Sequence, residues 1–167
     1  SLTVTTPGNL TIGSLDTRAS TTAFPATSTG TNSTTGSNSL ATLDLSGVTG
    51  SVGSFTFQAG TFAAAATIKA SVGGTTLVTS TETTSDAITF TGGAGVDSLT
   101  TGTAGTYVVD LGEGSTNTFN GAALVAAVSG NTANVTGGAG ADTITTGANA
   151  DVVNGGAGDD IITGGLG

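Results

Sequence analysis

"TGGAGADTITTGANADVVNGGAGDDIITGGLG", residues 136–167, has a nine-residue beat: glycines, then an aspartate, then an aliphatic residue. Set out in nines, "GGAGADTIT" (137–145) and "GGAGDDIIT" (155–163) are complete units of the form G-G-x-G-x-D-x-U-x, where U is a large aliphatic residue. Between them "TGANADVVN" (146–154) keeps the frame, with Asn149 in place of the third glycine. A third complete unit, "GGAGVDSLT", occupies 92–100. Composition alone would give about 0.05 G-G-x-G-x-D matches in this chain, so the three present mark a repeat architecture.

Working outward, degenerate copies fill much of the space between the complete ones. "TGTAGTYVV" from Thr101 places Val108 at U, and "LGEGSTNTF" from Leu111 puts Thr116 where the aspartate belongs. "VSGNTANVT" from Val128 restores the frame with Val135 at U, and "TETTSDAIT" sets Asp86 and Ile88 at the right separation. One unit holds an extra residue near Asp110, and "FNGAALVAA" fits no template, so a bulge or loop is expected in the middle.

Glycine turns and strands explain the beat. Six residues, G-G-x-G-x-D, make a tight turn whose glycines adopt backbone angles closed to other residues and leave carbonyl oxygens pointing outward. The next three, x-U-x, make a minimal strand with U pointing inward. Two units close one coil of a solenoid, so turns eighteen residues apart stack at the strand spacing of about 4.8 Å. The expectation is an all-β, parallel β-solenoid over residues 81–167.

Residues 1–80 form a second region, rich in Thr, Ser and Gly. Stretches such as "LTVTT", "LATLDLSGV", "SFTFQ" and "TTLVT" alternate as strands with one buried face do. This region is expected to continue the solenoid or to form a small sandwich. The interval 27–39 has no apolar residue and reads as a flexible loop, and "TFAAAATIKA" is the one place where a helical turn is conceivable.

Charge narrows the function. Two basic residues, Arg18 and Lys69, face 11 acidic ones, giving a net charge of −9. Binding to nucleic acid needs clustered Lys and Arg, and so does binding to anionic lipid; this chain offers neither. Insertion into a membrane is not expected either, because no apolar run approaches the roughly 18 to 20 residues of a span. The absence of Cys removes disulfides and thiolate chemistry. The acids Glu82, Asp86, Asp97, Asp110, Glu113, Asp142, Asp151, Asp159 and Asp160 all lie beyond residue 80 with no base among them, so a cation must come from solution.

Stacked aspartates repel unless a cation sits between them, and a hard divalent ion with six to eight oxygen ligands suits carboxylates and backbone carbonyls. Transition metals would recruit imidazole or thiolate, and the chain has no His and no Cys. Calcium is therefore the expected cofactor. Asp142 and Asp160, both in complete turns, are expected to clamp one ion, with carbonyls of Gly137, Ala139, Gly156 and Gly158 as co-ligands. Asp151 lies on the opposite edge and is expected to supply half a site. Asp97 is a further candidate, although the turn eighteen residues on is the degenerate "LGEGST", where Glu113 is the available substitute. Asp159 reads as a solvated turn residue, and Val152 and Ile161, each just before U, should point outward.

These G-G-x-G-x-D-x-U-x units resemble the RTX proteins, and residues 81–167 look like an RTX parallel β-roll. That resemblance implies calcium-driven folding after export, with a C-terminal secretion signal that this chain does not show. The texture of the whole chain, with phrases such as "LDLSGVTG" and "AITFTGGAGVDSL", is similar to bacterial surface-layer proteins of the RTX type. Starting at Ser1 and stopping within its own rhythm, the chain reads as a processed product or a fragment.

Catalysis is not expected. No His is available as a base, no Ser or Thr has an evident activating partner, and the carboxylates are already accounted for by the turns. The leading expectation is a calcium-assembled structural protein of the bacterial cell surface, extracellular, packing with copies of itself into a layer or filament, with cell-envelope polysaccharide as a further candidate partner. The alternatives are the binding module of an RTX adhesin and the secretion and folding tail of an RTX hydrolase or toxin.

Overall fold

The structure, a computed structural model, describes residues 2–6, 40–56, 62–79, 87–124 and 130–167. The 27–39 interval, Glu82 and Asp86 lie outside the described residues. Every described element is a strand: β1 (Leu2–Thr6), β2 (Leu40–Val48), β3 (Val52–Thr56), β4 (Phe62–Lys69), β5 (Thr75–Val78), β6 (Ala87–Thr91) and β7 (Ser98–Thr100). They are followed by β8 (Thr106–Asp110), β9 (Thr118–Asn120), β10 (Thr132–Ala139), β11 (Thr143–Thr145), β12 (Val152–Ala157) and β13 (Ile161–Thr163). "TFAAAATIKA" is thus the strand β4 and its flanks: Ala66, Ile68 and Ala70 are buried in alternation, which no helical turn would allow.

The chain winds between two parallel sheets. One has seven strands in the order β1-β2-β4-β6-β8-β10-β12, and the other has six in the order β13-β11-β9-β7-β5-β3. From β2 onward, successive strands alternate between the sheets, so each coil adds one rung to both. The fold is an all-β, parallel β-solenoid.

Register turns the rungs into columns of like side chains. On the seven-stranded sheet Leu43, Ile68, Phe90, Val109, Val135 and Val153 align in one inward column, and Ala66, Ile88, Tyr107 and Ala133 in another. On the six-stranded sheet Leu77, Leu99, Phe119, Ile144 and Ile162 make the single column that three-residue strands permit. Nearly all of these are buried, and each large one contributes about 1.5–3 kcal/mol. Tyr107 meets Phe119 across the core edge-on, with ring centroids 6.5 Å apart, and its hydroxyl lies 3.0 Å from Thr79 Oγ1.

The column positions correct two assignments. Tyr107 and Val109 are buried while Val108 is 49% exposed, so Val108 is not at U. Likewise Asn117, not Thr116, holds the aspartate position of its unit, and Phe119 holds U. Both shifts have one cause: ten residues, not nine, separate the column positions Leu99 and Val109, so the frame moves by one residue from that coil onward. Val152 and Ile161 are each 64% exposed and point outward as expected.

Candidate metal centre

Thr75 at the start of β5 and the residues that precede β7, β9, β11 and β13 build a ladder along one edge of the solenoid. The backbone N–H of Thr75 donates to Asp97 Oδ1 at 2.6 Å, that of Asp97 to Asn117 Oδ1 at 2.9 Å, and that of Asn117 to Asp142 Oδ1 at 2.8 Å. The last link runs from the N–H of Asp142 to Asp160 Oδ1 at 2.9 Å. Each link joins one rung to the next. The sequence separations are 22, 20, 25 and 18 residues, so only the final step keeps the eighteen-residue period. For that reason Asp97 is followed in the ladder by Asn117, while Glu113 is exposed.

Asp142 is the centre of this edge. It is buried, and Oδ1 is held by the Asn117 N–H, but Oδ2 is shielded from solvent and has no hydrogen-bond partner. A buried carboxylate oxygen without a partner costs folding free energy. Burial pushes the Asp142 carboxyl above its usual range, the neighbouring charge of Asp160 adds to the rise, and the Asn117 N–H opposes it. Lys69, the one base among the described residues, pairs instead with Asp44 at 3.4 Å. Among the described residues no protein cation serves the ladder.

A carbonyl oxygen lies close to the free one, and further oxygens pack against the neighbouring glycines. A Cβ on Gly137 would collide with both Asp142 Oδ2 and the Gly155 carbonyl oxygen, which places those two oxygens around one small gap. A Cβ on Gly155 would strike Asp160 Oδ2, one on Gly156 the Gly138 carbonyl, and one on Gly158 the Gly140 carbonyl. Only glycine leaves these gaps open. Gly138 and Gly156 also have φ of 103° and 99°, in the left-handed region that favours glycine. Among the described residues no group of three or more acidic, His or Cys side chains gathers, so a cation here must draw on backbone carbonyls as well as on Asp142. Carboxylate plus carbonyl is the donor set that calcium accepts, and the site fits it.

Of the sequence candidates, Asp142, Asp160 and Gly137 converge on this edge, with Gly156 and Gly158 stacked against the turn above. Ala139 pairs with Ala157 across the strands. The carbonyl of Gly155 was not among the candidates, although its place in the same G-G pair could have indicated it.

Asp151 sits on the opposite edge, where Oδ1 accepts the Ala133 N–H at 2.7 Å and Oδ2 is again buried without a partner. It lines a cleft of about 320 Å³ shared with Asn149, Gly164 and Gly165. Asp97 differs from both. Each of its oxygens has a donor, Thr75 N–H on Oδ1 and Gly93 N–H at 2.8 Å on Oδ2. Asp159 is exposed.

Comparison with known protein families agrees with the geometry. Residues 136–167 match the RTX calcium-binding nonapeptide repeat, in four copies. Neither the curated proteins nor the solved structures gave a match. The matched segment contains Asp142, Asp151 and Asp160, and repeats of this kind bind calcium ions.

Proposed function

We propose that this RTX repeat protein is a calcium-dependent structural protein of the bacterial cell surface, one that assembles with copies of itself into a layer or filament. Its repeats make a calcium-binding structural module rather than a catalytic one. The observation that carries the reading is Asp142 Oδ2, buried and unpartnered beside the Gly155 carbonyl. Bound there, calcium neutralises carboxylates that the rungs would otherwise press together. The chain's own part is to hold Asp142 through the Asn117 N–H and to keep glycine at 137 and 155 so that the gap stays open.

The calcium requirement suits an exported protein. Extracellular modules bind calcium at about 10⁻⁴ to 10⁻³ M, so weak sites of this type are empty in cytosol and filled outside. Among the described residues no helix is long and apolar enough to cross a membrane. The reading of an assembling protein is supported by outward-facing apolar side chains. Val108, Val152 and Ile161 stand on the outer faces of the sheets, where they suit lateral contact between copies.

Electron microscopy of the protein before and after calcium addition tests the proposal. Ordered sheets or filaments that form with calcium and disperse with EGTA are the expected result. A monodisperse monomer that folds with calcium and does not associate would overturn the assembly reading, and glycan or cell binding by that monomer would make it an adhesin module.

A further inference from the structure

The complete motif at 92–97 and the one at 137–142 share their pattern but not their backbone. Gly138 has a φ of 103°, whereas Gly93, at the same place in its turn, is not among the positive-φ glycines. In the first turn the Gly93 N–H points at the aspartate and donates to Asp97 Oδ2 at 2.8 Å. In the second, Asp142 Oδ2 is left bare. The neighbours differ too. Asp97 lies between Thr75 and Asn117, both neutral, while Asp142 lies next to Asp160.

Asn117 completes the contrast. Its Oδ1 accepts the Asp97 N–H as an aspartate oxygen would, and its Nδ2 donates to the Gly114 carbonyl at 3.4 Å. Asn131 does the same on the opposite edge, with Oδ1 accepting the Gly105 N–H at 2.9 Å and Nδ2 donating to the Thr103 carbonyl at 2.9 Å. One amide thus supplies both the acceptor that a ladder carboxylate supplies and a donor for a turn carbonyl that a cation would otherwise have to satisfy.

We propose that the Asp97 and Asn117 rungs close without metal, despite the complete repeat motif at 92–97, and form a template on which the calcium-dependent coils are registered, with Asn117 as the positioning residue for Asp142. The ladder has a direction. Each N–H reaches the side chain of the following rung, so Asp142 is held from the Asn117 side by one oxygen and its other oxygen is left for the ion. This inference rests on the calcium-binding reading of the last repeats and adds which rungs lie outside it.

The test combines calcium stoichiometry with hydrogen exchange on the whole chain. We expect Asp97→Ala to bind as many calcium ions as the wild type and Asp142→Ala to bind at least one fewer. Asn117→Ala keeps the backbone N–H that meets Asp142 but loses the side-chain links to the Asp97 N–H and the Gly114 carbonyl that fix it in place, and should weaken the calcium midpoint several-fold; Asn117→Ser, which restores a side-chain oxygen, should recover part of it. A calcium count that falls in Asp97→Ala as it does in Asp142→Ala overturns the proposal. Should Asp97→Ala fail to fold, exchange of the wild type in EGTA decides: the Gly93, Asp97 and Asn117 amides should exchange at least tenfold more slowly than those of Asp142 and Ile161, and equal rates overturn it. Loss of calcium binding by the wild type would contradict the proposed function, while slow Gly93 and Asp97 exchange would still support the metal-free template.

Discussion

Asp142 and Asp160 lie eighteen residues apart in sequence and one rung apart in the fold, joined by a 2.9 Å hydrogen bond from the N–H of Asp142 to Asp160 Oδ1. The same pair brings two carboxylates close together; burial raises the Asp142 carboxyl, and the Asp160 charge adds to that rise. The hydrogen bond aligns what the charges oppose. A cation bound between them would resolve this conflict, and we expect the balance between attraction and repulsion to decide where the solenoid depends on calcium.

Removing calcium should melt the solenoid unevenly. In EGTA the coils of residues 130–167 would lose the counterion for Asp142 and Asp151, while residues 40–124 keep most of the buried core, from Leu43 to Phe119. At ten times Kd each filled site adds about 1.4 kcal/mol, so several sites must act together to hold the last coils. We expect circular dichroism to show partial, reversible loss of β signal. Complete loss, or none, would be at odds with this division.

Asp142→Ala should raise the calcium midpoint of the C-terminal transition more than Asp160→Ala does. Asp142 is buried and contributes an oxygen with no other partner, whereas Asp160 lies on the last described rung and is only partly buried. Equal midpoints for the two variants would count against Asp142 as the central ligand.

Gly137→Ala should abolish calcium binding at this edge, because the new methyl would occupy the gap between Asp142 Oδ2 and the Gly155 carbonyl. The expected cost is about 1–3 kcal/mol in calcium, typical of overpacking. Gly164→Ala is the control. Nothing lies within 4 Å of a Cβ there, so its effect should stay within about 0.5 kcal/mol. Thermal melts with and without calcium measure both.

The pH dependence of the metal-free stack should follow Asp97. Burial pushes its carboxyl up to about 6 from the usual 3.8, against the lowering effect of the Gly93 and Thr75 N–H groups. A folded value above the unfolded one means that the folded state binds the proton more tightly. The Asp97 contribution is therefore most favourable below 3.8 and declines as pH rises through about 6. In EGTA the transition of residues 40–124 should be less stable at about pH 7.5 than at about pH 5, and Asp97→Asn should reduce that difference. A difference of the opposite sign, or one unchanged by the substitution, would remove Asp97 as its source.

Much of this was legible in the sequence where the repeat is strict. From Gly137 to Thr163 the nine-residue period is unbroken, and the pattern alone places Ile144 in the core, Val152 and Ile161 outside, and Asp142 beside Asp160. Upstream the pattern misleads because coil length varies. The steps from Asp97 to Asn117 and from Asn117 to Asp142 are 20 and 25 residues, and a nine-residue frame carried through them puts Val108 and Thr116 in the wrong places. Asn117 was hidden for a further reason: an amide can take the place of a carboxylate in the ladder, and a search for aspartate passes over it. Nor could the pattern separate Asp97 from Asp142, since their turns differ in where one peptide N–H points and both fit the same motif.

The most direct measurement is anomalous diffraction from crystals grown with calcium and with a lanthanide in its place. The account expects a peak in the gap bounded by Asp142 Oδ2 and the Gly155 carbonyl, and none beside Asp97. An Asp142 carboxylate that faces solvent with no ion against it would contradict the account.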